Sequence, residues 1–146
     1  MDYFSSFEIS ATGLAAEKLR LEAVALNLAN ANTTFAPGTA PYRPVRFVSR
    51  AIGANEFGRH LDGARAAMPA GVVAAGMERM QVAPRMVYDP QHPDADGKGF
   101  VAHANIDQLS EMTTMMSAVR AYEANIKAIG AARTMAQKAL EIGGSK

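Results

Sequence analysis

All seven prolines of this 146-residue chain lie between Pro37 and Pro93. Proline lacks the N–H that a helix interior needs, and its ring clashes with the preceding turn. The first 36 and last 53 residues therefore permit long helices, and the middle opposes them. This pattern predicts a mainly α fold with a small β-rich insert. Long N- and C-terminal helices would pack as a coiled-coil-like pair, with short strands and loops between. Residues 1–36 and 105–146 would supply the helical domain, and residues 37–104 a strand- and loop-rich middle segment.

The N-terminal segment reads as a helix from Ser5 to Asn30. Ser5 followed by Glu8 has the form of a capping box, and Phe4 with Ile9 that of a hydrophobic staple. Phe7, Leu14, Leu21 and Leu28 recur every seven residues, with Val24 beside that line, giving one apolar stripe at helical spacing. Gly13 weakens this helix by roughly 1 kcal/mol relative to Ala.

The C-terminal segment reads as a longer helix, from Asp107 to Ile142, capped by Asn105 or Asp107. One heptad line holds Met112, Val119, Ile126 and Leu140. A second holds Met115, Tyr122, Ile129 and Ala136. Gly143-Gly144 supplies a stop, with Lys138 near the negative end of the helix dipole. Such a helix would be roughly 54 Å long, more than a compact globule of this size needs. Burying the Phe7–Leu28 stripe against the Met112–Leu140 stripe is the expected pairing. Apolar surface left over would pack on neighbouring copies.

In the middle, Val45–Ser49, Met77–Val82, Arg85–Tyr88 and Phe100–His103 are the expected strands. The Gly- and Ala-rich stretch from Gly53 to Gly76 is expected to be mobile or loosely ordered. Net charge is +1, and basic residues are interspersed with acidic ones, so nothing marks a nucleic-acid partner. There are no cysteines, which excludes disulfides, thiolate catalysis and cysteine-bound zinc. No apolar run reaches the roughly 18–20 residues of a membrane span, and the start does not read as a cleaved secretory signal. Direct membrane insertion is not expected.

One cluster invites a chemical reading: Tyr88, Asp89, Pro90, His92, Pro93, Asp94 and Asp96, ahead of Gly97 and Gly99. Asp94-x-Asp96-Gly97 superficially suggests calcium. A calcium loop needs further oxygen ligands and a closing Glu, and none follows before Glu111. The plainer reading is a rigid loop in which prolines fix φ, Asp side chains bond backbone N–H groups, and Gly97 and Gly99 adopt left-handed conformations. No hydrolase, zinc or phosphate-loop motif occurs. No catalytic residue, metal or cofactor is assigned, and a metal-binding or hydrolytic domain centred on Asp89–Asp96 is the alternative. Glu111, Glu123 and Glu141 alternate with basic residues, as on a solvated or inter-subunit face.

The run from Asn27 through Asn30 and Asn32 to Thr34 has two readings. Asn terminates helices because it tolerates αL and competes for backbone hydrogen bonds. An Asn buried between helices also fixes registry, because it must find its partner.

Leu28-Ala29-Asn30-Ala31-Asn32-Thr33-Thr34, closing an amphipathic N-terminal helix, resembles the signature of flagellar rod and hook axial proteins. Pro41-Tyr42-Arg43 follows where that family places a similar element. The stretch from Val87 to Asp96, Glu111-Met112, Arg120-Ala121-Tyr122-Glu123-Ala124-Asn125 and Lys138–Gly143 strengthen the resemblance. It covers both ends and the loop before the last helix, and is weak from Ser49 to Gly76. The resemblance implies a structural subunit of the bacterial flagellar basal-body rod, exported uncleaved through the flagellar type III apparatus into the periplasmic space. Its implied partners are copies of itself and other rod proteins. Its terminal helices would form an inner tube, with the middle segment outside.

Overall fold

In the computed structural model, residues 3–51 and 71–144 are described. Two helices dominate: α1, Tyr3–Asn30, and α2, Gln108–Gly144. Between them run β1, Thr34–Phe35; β2, Val45–Ala51; β3, Val72–Arg79; β4, Arg85–Tyr88; and β5, Phe100–His103. The fold is mainly helical, with a small strand-containing insert.

Both helices fall close to their predicted spans. α1 begins at Tyr3, so Ser5 lies inside the helix and not at its cap. The Ser5 capping box and Phe4 staple involve side chains outside the described residues. α2 is capped by Asp107, whose Oδ1 accepts the Leu109 N–H at 3.1 Å. It runs on through Gly143 and Gly144, so these glycines do not stop it where the sequence suggested. Ala36-Pro37-Gly38-Thr39 closes a turn after β1, with Thr39 N–H donating to the Ala36 carbonyl at 3.1 Å. Gly38 has φ of 86°, the positive value that the third position of a type II turn demands.

The strands make two sheets, β1-β5-β4 and β2-β3. β5 pairs antiparallel with β1, Thr34 opposite His103, and with β4, Tyr88 opposite Phe100. β4 and β5 match expectation. β2 is two residues longer than expected. β3 begins five residues before the expected Met77 and ends at Arg79. Its first residues, Val72 to Gly76, belong to the stretch expected to be loose. Pairing with β2 orders them despite weak intrinsic strand preference. The remainder of that expectation, residues 53–70, lies outside the described residues.

The chain divides into two compact units, each drawing on both helices. The first comprises Met1–Leu19, Ser49–Ala75 and Ala118–Lys146. Its buried positions are small: Ala16, Ala118 and Ala132. A Cβ on Gly13 would lie 3.0 Å from Asn125 Oδ1, so the glycine lets α1 and α2 approach closely. The start of β3 is pinned to α1. Thr12 Oγ1 donates to the Ile9 carbonyl at 2.7 Å and accepts the Val72 N–H at 3.1 Å. A side chain at Gly71 would collide with that hydroxyl.

The second unit comprises Arg20–Val48 and Gly76–Ser117. Its core holds Ala23, Val24, Asn27 and Ala31 from the α1 side, with Val101 and Ala104 from the end of β5. Asn27 is the one buried polar side chain among the described residues. Helix pairing in this unit runs through that residue.

Candidate functional site

Asn27 projects inward because it continues the 3–4 spacing of Ala23, Val24 and Ala31 on one face of α1. It is 2% exposed, so every polar atom needs a partner. Its amide nitrogen donates to the Val45 carbonyl at 2.9 Å and to Glu111 Oε1 at 3.1 Å. Its amide oxygen accepts the Val45 N–H at 2.8 Å and the Tyr42 hydroxyl at 3.1 Å. One side chain thus joins α1, the segment entering β2 and the first turn of α2. Glu111, expected on a solvated or inter-subunit face, is half-buried within the chain, held by its bond to Asn27. Burial raises the Tyr42 phenol pKa, and the Glu111 charge raises it further, partly opposed by Arg79.

Asn30 and Asn32 play lesser parts. Asn30 Nδ2 bonds back to the Leu26 carbonyl of its own helix at 2.8 Å. Asn32 Oδ1 accepts from Gln108 Nε2 at 3.0 Å. Asn30 is the last residue of α1, and Asn27 is the buried asparagine bonded between the two helices.

The loop from residue 89 to 99 joins β4 to β5, and the Asp89 and Asp96 carboxylates serve the local backbone. Asp96 Oδ1 accepts the N–H groups of Lys98 at 2.8 Å and Phe100 at 2.9 Å. Those bonds hold the Asp96 pKa below the usual carboxylate value. Asp89 Oδ1 accepts the Gln91 N–H, and His92 Nδ1 accepts the Asp94 N–H. Asp94 Oδ2 accepts the Thr34 hydroxyl at 2.6 Å, tying the loop to β1. Gly99, at φ of 81°, packs where a Cβ would press on Tyr88 and Pro90. Gly97 is not in the left-handed region, contrary to expectation. Among the described residues no three His, Asp or Glu side chains are placed to hold a metal ion.

The expected helix-packing residues divide by line. Phe7, Leu14, Leu21 and Leu28 are half-buried, and Val24 is buried. On α2, Met115, Tyr122 and Ile129 are half-buried. Met112, Val119, Ile126 and Leu140 instead stand 53%, 40%, 49% and 75% exposed. The expected burial of that line within the chain is therefore corrected. Small residues at Ala118 and Ala132, with Glu111 and Asn125 on the same heptad line, face inward instead. Helices approach more closely over small side chains, which leaves the larger residues outside.

Comparison with known families follows the same segments. A family described as flagella basal body rod protein matches residues 7–34, which include Asn27. One described as flagellar basal body rod FlgEFG protein C-terminal matches residues 98–142, which include Glu111 and Asn125. Flagellar basal-body rod protein FlgC of Borreliella burgdorferi is 35% identical, covering 97% of this chain and 98% of the relative. Those of Salmonella typhimurium and Bacillus subtilis are 34% and 36% identical, each covering 98% of this chain and 99% of the relative. The chain belongs to the FlgC family of flagellar basal-body rod proteins, structural subunits of the flagellum.

Proposed function

We propose that this chain builds the proximal part of the rod by polymerising through apolar faces that its own fold leaves open. The observation that carries this is the exposed line Met112, Val119, Ile126 and Leu140 on α2. Fully burying a side chain of this size contributes roughly 1.5–3 kcal/mol. A row of them favours association with copies of the chain and with other rod proteins. Contacts of that kind that do not close on themselves extend into a helical assembly. In this reading residues 1–36 and 105–146 line the inner tube and residues 37–104 lie outside it. The subunit is exported through the flagellar type III apparatus and assembles in the periplasm. Its role is mechanical, without catalytic residues or a cofactor.

Ile126→Asp tests this reading. Ile126 is 49% exposed, so the free subunit keeps its fold. In an assembled interface the new carboxylate would be buried without a partner, at a cost of several kcal/mol per subunit. The expected result is a subunit with native circular dichroism and cells that build no complete rod and do not swim. Normal swimming and normal rods would show that this face takes no part in assembly.

A further inference from the structure

The three-stranded sheet carries an outer face that its architecture does not explain. Its register sets Phe35, Ala102 and Met86 in one row and Phe100 with Tyr88 in another, all on one side. The opposite side carries Val101, which is fully buried. An antiparallel sheet with one solvated face normally alternates apolar residues inward and polar residues outward. Here the outward side is apolar, the Tyr88 hydroxyl apart. Met86, Tyr88 and Phe100 are 50%, 66% and 38% exposed. The Tyr88 and Phe100 rings meet edge to face with centroids 5.4 Å apart, a firm aromatic surface.

We propose that this sheet face binds α2 of a second copy of the chain, seating Met112 and Met116 on the Tyr88–Phe100 pair. Three observations select that occupant. Met112 and Met116 are one turn apart on α2 and 53% and 57% exposed. Thioethers pack favourably against aromatic rings and adapt to their shape. The charges around the two surfaces also match. The loop beside the sheet carries Asp89, Asp94 and Asp96 against Lys98, whereas residues 112–127 of α2 carry Arg120 and Lys127 against Glu123. Neither Arg120 nor Lys127 forms an ion pair among the described residues. Finally, the two surfaces are unlike, so a contact that is not made reciprocally is heterologous and leaves each copy with one free partner surface. That is the contact an open polymer requires. The inference rests on the rod-subunit reading and names one of its interfaces.

Because the chain contains no cysteine, the contact can be trapped without background from other cysteines of this chain. Tyr88→Cys and Met116→Cys are expressed together in cells lacking the parent chain. The cells are treated with copper phenanthroline, and their basal bodies are isolated. The expected product is a dimer joined between positions 88 and 116, seen only when both variants are present. Both variants in the basal body without that dimer overturns the contact. If either variant fails to enter the structure, p-benzoylphenylalanine replaces Tyr88 and is activated by light. An adduct on residues 112–126 of a second copy supports the contact, and an adduct on another protein, or none, overturns it. Absence of the parent chain from basal bodies overturns the rod reading itself, and this interface with it.

Discussion

Replacing Asn27 with Ala removes four hydrogen bonds at one buried point. It leaves Val45 N–H, the Val45 carbonyl, the Tyr42 hydroxyl and Glu111 Oε1 without that partner. A buried polar group left unpaired costs roughly 1–3 kcal/mol. Val45, Tyr42 and Glu111 are half-buried, so water restores part of what is lost. Counting about two effective losses gives roughly 2–6 kcal/mol. For a chain of this length that lowers Tm by about 10 °C or more. Thermal unfolding followed by circular dichroism at the helix band measures it. Two further variants isolate the cause. Glu111→Gln keeps an acceptor facing Asn27 and is expected to be much milder. Asn27→Asp keeps the shape but sets a second carboxylate oxygen against Glu111, where the parent donates at 3.1 Å. Repulsion raises the pKa of one of the two carboxyls in the folded state. The Asn27→Asp defect is therefore full at neutral pH and shrinks as pH falls through that raised pKa, when the proton restores a donor. An Asn27→Ala subunit melting within about 2 °C of the parent, a loss of only about 0.5 kcal/mol, would refute the reasoning.

Gly13→Ala gains helix propensity of about 1 kcal/mol but places a Cβ 3.0–3.2 Å from the Asn125 amide, so the net change stays within about 1 kcal/mol. Gly13→Val forces branched atoms into the same gap and costs about 1–3 kcal/mol; an unchanged denaturation midpoint would show that α1 and α2 do not approach there. Asp96→Ala frees the Lys98 and Phe100 amides, which then exchange hydrogen faster, whereas unchanged exchange would show that the carboxylate does not hold the loop. Because the Asp96 pKa is lowered on folding, its contribution is complete above the ordinary carboxylate range and disappears as pH falls through the lowered value. Carbon NMR of the Asp96 carboxyl is expected to show a midpoint below that of an unstructured peptide.

Much of this architecture is legible before any coordinates. Proline placement alone locates both helices, because a missing N–H acts locally and needs no tertiary information. β4 and β5 are legible for a similar reason: aromatic and β-branched residues sit either side of a loop dense in Pro, Asp and Gly. β3 is not, since Val72 to Gly76 holds Ala and Gly that acquire extended structure only by pairing with β2. The choice of inward face on α2 is also hidden. A search for apolar periodicity weights Met112, Val119 and Ile126 heavily, and Ala118, Asn125 and Ala132 hardly at all. The helices nevertheless bury the small line, because backbone proximity and one well-placed amide replace bulk. Asn27 itself carried a usable signal. It shares the 3–4 spacing of Ala23, Val24 and Ala31, a position where an asparagine must be bonded within the fold.

That inversion has a consequence for how such a subunit works. Alanine buries little area, so a seam lined by Ala16, Ala118 and Ala132 contributes little hydrophobic free energy. The larger apolar residues of α2 lie outside and lose water only when another molecule covers them. In the assembly proposed above, those exposed residues of α2 would gain their hydrophobic stabilisation only at the interface, and in the isolated chain the bonds of Asn27 add to the half-buried contacts of Met115, Tyr122 and Ile129. Those contacts also determine where the exposed residues point. Turning α2 by one residue rotates its faces by about 100°, which would carry Met112 and Val119 away from any fixed neighbour. The bond from Asn27 to Glu111, one residue before Met112, opposes that slip. On the proposed assembly, a buried amide that adds only a few kcal/mol to the subunit would thereby also govern the energy gained when the exposed faces meet their partners.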